Sequence, residues 1–346
     1  MKTRAWAAPS ATRPLEPHTI DRRAVGDDDV LIEVLFCGIC HSDIHQARDE
    51  WGGATFPMVP GHEIIGRATK VGARVSRVKV GDLVGVGCMV DSCRACAPCK
   101  EDHEQFCEAG CAWTYNGTEM DRKTQTYGGY ATHVAVTERF VLRVPENLDP
   151  AGAAPLLCAG VTTWSPLRQW GCKKGDRVGV VGLGGLGHMA VKLASAMGAE
   201  VTMLSTSPSK AKDAARLGAK DFAITKDPDT FTRLANRFDL VIDTVSAPHD
   251  YNAYLGLVRT YGAMVIVGVP PKPAELGAFS LIRGNKRLAG SLIGGVRETQ
   301  EMLDFCGQHG IVSDVEKISA SQINEAYERT LRADVRYRFV IDAKTL

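Results

Sequence analysis

Gly182-Leu183-Gly184-Gly185-Leu186-Gly187 follows the apolar run Val178-Gly179-Val180-Val181 and opens a segment of helical periodicity. No other stretch restricts the fold as much. Gly-x-Gly-x-x-Gly between a strand and a helix lets backbone approach a pyrophosphate and directs helix N–H groups at it, where the helix dipole favours anions. A glycine-rich turn with no ligand is the plainer alternative, and the flanking strand and helix argue against it. Strand and helix patterns alternate around the turn: Arg177 to Val181, a helix from about Gly187 to Met197, Glu200 to Leu204, a helix from about Ser209 to Leu217, then Leu240 to Asp243 and Met264 to Val267. This alternation predicts a doubly wound parallel sheet of the Rossmann type, an α/β fold.

The nucleotide is indicated about twenty residues on, where an acidic side chain normally accepts hydrogen bonds from an adenosine ribose. No acid stands there. The strand ends in Ser205-Thr206-Ser207 with Lys210 shortly after, which offers hydroxyls and one cation to a 2′-phosphate and so points to NADP(H). Ser207-Pro208-Ser209 also reads as the cap of the following helix.

Before residue 150 the pattern differs. Short β-rich runs, Val30 to Phe36, Gly66 to Val71, Asp82 to Val86 and Tyr130 to Val136, are separated by glycine and proline turns. A chain of 346 residues exceeds what one core usually supports, so two domains are expected. The tail adds helices over Glu298 to His309 and Ser321 to Leu331 and a strand over Tyr337 to Asp342, and is expected to rejoin the first domain. The expected boundaries are 1–155 with 296–346 for the mostly β domain and 156–295 for the nucleotide domain.

Cys93, Cys96, Cys99 and Cys107 fall at C-x2-C-x2-C-x7-C spacing, close enough for one turning loop to aim four sulfurs at one point, as in a sealed structural zinc site. Disulfides are disfavoured by the odd total of eleven cysteines and by an N-terminus, Met1-Lys2-Thr3-Arg4-Ala5-Trp6, without an apolar signal run. The expected setting is a reducing cytoplasm. A nucleic-acid role is disfavoured because 41 Lys plus Arg balance 40 Asp plus Glu with no basic cluster beside the site. No apolar run approaches the roughly 20 residues a membrane span needs.

The remaining thiols and imidazoles of the first half suggest chemistry. Cys40-His41-Ser42-Asp43-Ile44-His45 follows one strand pattern and Gly61-His62-Glu63 comes some twenty residues later. With Cys158 they could give zinc two thiolates and one imidazole and leave a fourth position open, the mark of a catalytic site. Taken singly, Cys158 reads as a small buried hydrophobe. Cys37, Cys88, Cys111, Cys172 and Cys306 default to packing, and His18, His103, His133, His249 and His309 read as surface or structural residues in loops or polar contexts without ligand-spaced partners.

Taken together, these motifs resemble those of the zinc-dependent medium-chain alcohol dehydrogenases over essentially the whole chain. The matching residues are Gly38-Ile39-Cys40-His41-Ser42-Asp43, Gly61 to Gly66, the four-cysteine lobe, Cys158 to Thr162, and Gly182 to Gly187. Gly187-His188-Met189, the Ser205 to Ser207 turn with Lys210, and Asp334 to Asp342 resemble the cinnamyl alcohol dehydrogenase branch with its bacterial aldehyde reductases. The resemblance implies a GroES-like catalytic domain, zinc ligands Cys40, His62 and Cys158, and a structural zinc on the four-cysteine lobe. It also implies that Glu63 stands beside the catalytic metal, Asp43 orients His62, and Ser42 and His45 relay the proton. Thr162, Gly182, Leu183, Gly184, Gly185, Leu186, Gly187, Ser205, Thr206, Ser207, Lys210, Val267 and Gly268 would contact NADP(H), and Trp51 and Trp113 the substrate. The expected reaction is hydride exchange with primary alcohols and aldehydes in a homodimer with two zincs per chain. A polyol dehydrogenase is the alternative, which Cys158 opposes because such relatives carry a carboxylate ligand there. A non-catalytic nucleotide-binding protein is a further reading, opposed by the complete set of ligand and relay residues.

Overall fold

The computed structural model describes residues 1–346, which divide into two compact units, Met1–Val161 with Gly294–Leu346 and Thr162–Ile293. In the first unit the ten-residue strand Asp29–Gly38 organises a seven-stranded sheet. Its alternating apolar residues Val30, Ile32 and Val34 are buried, as a strand with one face on a core requires. It pairs antiparallel with Ile64–Val71, with His133–Thr137 and with the C-terminal strand Arg338–Asp342. Leu83–Val86 and Leu142–Arg143 extend one side, and Val315–Ile318 closes the other beside the C-terminal strand.

The tail therefore lies within the first unit's sheet. Phe339, Val340 and Ile341 are buried there, and Val340 and Ile341 stand opposite Gly38 and Cys37. Helices Val296–His309 and Ile323–Leu331 belong to the same unit. The second begins after the 3₁₀ turn Ala320–Gln322, where Ser319 and Gln322 form a capping box.

In the second unit six strands pair in parallel, in the order Asp221–Ile224, Glu200–Ser205, Arg177–Val181, Phe238–Asp243, Val258–Ile266, Arg287–Gly290. Strand order reverses beside Arg177–Val181, whose successor in sequence lies on one side and Phe238–Asp243 on the other. A doubly wound sheet opens its ligand crevice at the carboxyl ends of strands at such a switch point.

Several expected boundaries shift. The strand read from Tyr130 begins only at His133, because Tyr130 N–H bonds Pro60 O at 3.0 Å and Tyr130 O accepts Trp6 N–H at 2.8 Å, outside the main ladder. Met264 to Ile266 is the end of a longer strand, Val258–Ile266, whose pairing with Phe238–Asp243 shifts register between Phe238 and Leu240, and Val267 lies just beyond it. Ser207 occupies an N-cap position without a side-chain cap bond, since the chain passes through the 3₁₀ turn Pro208–Lys210 before helix Ala211–Leu217.

Phe238 lies in the second unit's core with Val181, Leu204, Val241, Leu255 and Met264, and its ring fills the space above Gly179, where a Cβ would meet it at 3.2 Å. Phe238→Ala should destabilise the protein by about 3–5 kcal/mol, read from urea unfolding; a loss below about 1 kcal/mol would contradict this packing.

Candidate active site

The sulfurs of Cys93, Cys96, Cys99 and Cys107 all lie within 4.8 Å of one another. Cys96 stands before the short helix Ala97–Lys100, which contains Cys99, and Cys107 ends the 3₁₀ turn Glu104–Phe106. Backbone N–H groups of Ala95 and Cys96 donate to Cys93 Sγ at 3.5 and 3.4 Å, and Cys93 N–H donates to Cys107 Sγ at 3.4 Å. Those from Ala95 and then Cys96 draw the Cys93 thiol down to about 6, because N–H donors favour the thiolate. Four convergent sulfurs with such donors fit a closed tetrahedral zinc site.

A second cluster brings together Cys40, His62, Glu63 and Cys158, all buried, with one donor atom of each within 4.8 Å of the others. Cys40 follows the strand Asp29–Gly38 and stands at the N-cap of helix His41–Ala47, His62 and Glu63 precede the strand Ile64–Val71, and Cys158 ends the 3₁₀ turn Ala154–Leu157. Cys40 Sγ and Cys158 Sγ are 3.9 Å apart; all eleven cysteines are free thiols. Two sulfurs, one imidazole and an adjacent carboxylate match the donor chemistry of an open zinc site.

Asp43, fully buried, ties the cluster together. Its Oδ1 accepts His62 Nδ1–H and Gly61 N–H, each at 3.1 Å, and its Oδ2 accepts Cys40 N–H at 2.8 Å. The bond on Nδ1 leaves His62 Nε2 free to be the donor atom, the tautomer a metal ligand needs. Glu63 pairs with the buried Arg338, Oε1 to Nη2 at 3.1 Å. Burial raises its carboxyl to about 7, against the opposing charge of Arg338. Tyr115 stacks on the His62 ring at 5.8 Å and 23°.

Ser42 and His45 lie on helix His41–Ala47, three residues apart. Ser42 Oγ is 3.6 Å from Cys40 Sγ. His45 Nδ1 bonds Glu50, and its ring stacks on Trp51 at 5.0 Å. Trp51 and Trp113 are both exposed. In the second unit Gly182 has φ +88, and a Cβ on Gly187 would lie 1.8 Å from Gly182 O, so only glycine lets the helix start that close. Val267 and Gly268 N–H groups bond Asp243 O at 2.9 and 3.1 Å, on the rim beyond the strand ends. Thr162 is buried in helix Ala159–Gln169.

Other expectations change. Ser205 is buried, with its hydroxyl accepting Ser207 N–H at 3.2 Å, which leaves Thr206 as the exposed hydroxyl of the turn. Lys210 Nζ donates to Leu183 O at 2.6 Å and so ties this turn to the glycine-rich loop. Cys88 is more than packing: its thiol lies half-buried against Cys158, and the hydrogen bond between them lowers its pKa below the ordinary thiol value. His249 has a partner, Nε2 to the buried Asp243 Oδ2 at 2.9 Å. His18 and His133 lie in strands, and His309 ends the helix Val296–His309. Sequence reasoning gave Arg338, inside the segment Asp334 to Asp342, no role at the site, and passed over Tyr115. The only trace of Arg338 is a cation inside an apolar terminal strand; nothing local marks Tyr115.

Residues 26–146 match the family model of the alcohol dehydrogenase GroES-like domain and residues 185–308 that of zinc-binding dehydrogenases. The chain is 55% identical over 343 residues to the NADP-dependent alcohol dehydrogenase C 1 of Mycolicibacterium smegmatis, covering 99% of this chain and 98% of the relative. It is 50% identical over 348 residues to the aldehyde reductase YahK of Escherichia coli, covering 100% and 99%. A solved cinnamyl alcohol dehydrogenase from Sorghum bicolor superposes with a TM-score of 0.96 at 48% identity, covering 99% of this chain and 98% of that one. The chain belongs to the zinc-binding alcohol dehydrogenase family.

The two clusters predict different losses. Cys96→Ser should lower thermal stability and solubility, because a sealed metal contributes folding energy directly. Cys40→Ser should leave a folded protein with one zinc equivalent fewer and no turnover. Equal loss of fold in both, by circular dichroism and metal count, would contradict the division.

Proposed function

We propose that this protein is a zinc-dependent alcohol dehydrogenase and aldehyde reductase that exchanges hydride between NADP(H) and primary alcohols or aldehydes, hydrophobic and aromatic ones above all. The observation that carries this is the buried set of two thiols, one imidazole and one carboxylate, held apart from the four-thiol cluster. Relatives named for NADP dependence, aldehyde reduction and cinnamyl alcohol point the same way.

In this reading Cys40, His62 and Cys158 hold the catalytic zinc, and Cys93, Cys96, Cys99 and Cys107 the structural one. When bound, zinc supplies a Lewis acid and NADP(H) the hydride donor or acceptor. Asp43 fixes the His62 tautomer, and Arg338 holds the Glu63 carboxylate beside the ligands. Ser42 takes the proton of the alcohol and His45 delivers it to water. Glu50 holds the Nδ1 edge of His45 and so orients the ring. Trp51 and Trp113, 52% and 41% exposed, give flat apolar surface for an aromatic substrate. The loop from Gly182 to Gly187 takes the pyrophosphate, with Thr162, Val267 and Gly268 as further cofactor contacts. The Ser205-Thr206-Ser207 turn with Lys210 takes the 2′-phosphate.

No helix is long and apolar enough to cross a membrane. We place the protein in the cytoplasm, a setting that suits eleven free thiols. A homodimer is inferred from the edge strand Arg287–Gly290, whose outer side has no partner strand in the sheet, and from the exposed Phe279, Ile282 and Leu292 nearby in sequence.

A steady-state screen of benzaldehyde-type substrates and sorbitol with NADPH and NADH tests the function. Fast aldehyde reduction with NADPH is expected, and fast sorbitol oxidation with NAD would overturn it. Lys210→Ala should raise KM for NADPH about tenfold, the worth of one hydrogen bond to a charged group, and that for NADH less than about threefold through the lost tie to Leu183. Equal rises would show that the tie is its whole role.

A further inference from the structure

Gly128, Gly129 and Tyr130 run beside the turn that carries His62. Their N–H groups donate in succession to Val59 O, Gly61 O and Pro60 O at 2.8, 2.9 and 3.0 Å. Gly61 has φ +107, and a Cβ there would meet the Tyr130 ring at 2.7 Å, so the ring lies directly against the residue preceding His62. The fully buried Tyr130 directs its hydroxyl to Asp43 Oδ2 at 3.3 Å.

Asp43 thus accepts four hydrogen bonds. Three come from Cys40 N–H, Gly61 N–H and His62 Nδ1–H, which are the candidate ligands or their immediate neighbour. Tyr130 is the donor from outside the ligand segments that meets Asp43 at hydrogen-bond distance, and the buried Tyr115 hydroxyl also interacts with Asp43. Behind it Tyr327, on the tail helix Ile323–Leu331, brings a second buried hydroxyl that interacts with the first. Burial, and then the charge of Asp43, holds both phenols well above their ordinary range, so both remain protonated.

We propose that Tyr130, with Tyr327 competing for its proton, is a positioning residue that sets how strongly Asp43 holds His62 Nδ1–H, and through it how firmly the imidazole grips its metal. A carboxylate shared among four donors gives each a weaker bond than one shared among three, and chains of buried hydrogen bonds adjust together. Removing the Tyr130 hydroxyl returns negative charge to the His62 bond. The imidazole becomes more electron-rich and a stronger ligand. Tyr327 acts in the opposite sense, because its oxygen draws on the same Tyr130 proton that Asp43 accepts, so a hydroxyl at 327 weakens the donation to Asp43. The proposal rests on the reading that Cys40, His62 and Cys158 hold zinc.

The test uses the full-length zinc-loaded protein, labelled with nitrogen-15 at histidine, in wild-type, Tyr130→Phe, Tyr327→Phe and Cys40→Ser forms. The His62 Nδ1–H proton resonance should move downfield in Tyr130→Phe. Release of the catalytic zinc to excess chelator should slow by about threefold, less than the roughly 10–100-fold change that follows loss of a direct histidine partner. Tyr327→Phe, which leaves the Tyr130 proton to Asp43 alone, should shift both readouts in the opposite direction by less, and it carries the test if Tyr130→Phe does not fold. An unmoved resonance with unchanged release in the folded variants would overturn the proposal while leaving the zinc reading intact, provided the wild type holds two zincs and Cys40→Ser holds one. A wild type whose zinc content is unaffected by Cys40→Ser would overturn both.

Discussion

One buried carboxylate holds the reacting part of this molecule in register. Asp43 binds Cys40 N–H, Gly61 N–H and His62 Nδ1–H at once, fastening the end of the strand Asp29–Gly38 to the turn before Ile64–Val71. A charge with no exposure to water is costly unless its lone pairs are satisfied, and each hydrogen bond to a charged group contributes about 1.5–3 kcal/mol. The carboxylate is stable there only while those segments converge. Their convergence puts donor atoms of Cys40 and His62 within 4.8 Å of one another.

The two cysteine-bearing clusters are built differently. In the lobe from Cys93 to Cys107 every donor comes from one short stretch of chain and no carboxylate stands among them, which suits a metal that holds structure. The cluster of Cys40, His62, Glu63 and Cys158 is assembled from distant stretches, and its fourth member is a carboxylate held by Arg338. The C-terminal tail is therefore part of the site. Its strand carries Arg338 to Glu63 and its helix carries Tyr327 toward Asp43, so losing the tail would disturb both sides of the ligand set as well as the sheet.

The fold was legible where local pattern and tertiary environment agree. Arg177–Val181 and the following helix were readable because an apolar strand, a glycine turn and helical periodicity lie in one uninterrupted stretch. The strand beginning at His133 was misread at its start because Tyr130 looks β-prone, yet its backbone bonds to Pro60 and Trp6. At the site, Cys40, His62 and Cys158 could be nominated through a family resemblance, whereas their meeting depends on long-range pairing that spacing does not encode. Arg338, Tyr115 and Cys88 reach the cluster from elements distant in sequence, and no local motif marks them. Lys210 was visible as a cation near the nucleotide turn; its bond to Leu183 O is a tertiary contact that the sequence conceals.

If Asp43 is what keeps the open site assembled, its charge should matter to one metal and not to the other. The most direct measurement is the zinc content of Asp43→Asn after dialysis against a moderate chelator, compared with wild type treated alike. The account predicts that the variant retains the lobe zinc and loses the catalytic one, falling from about two equivalents to about one, in line with the roughly 10–100-fold affinity cost of losing such a partner. Retention of both zincs by Asp43→Asn would contradict it.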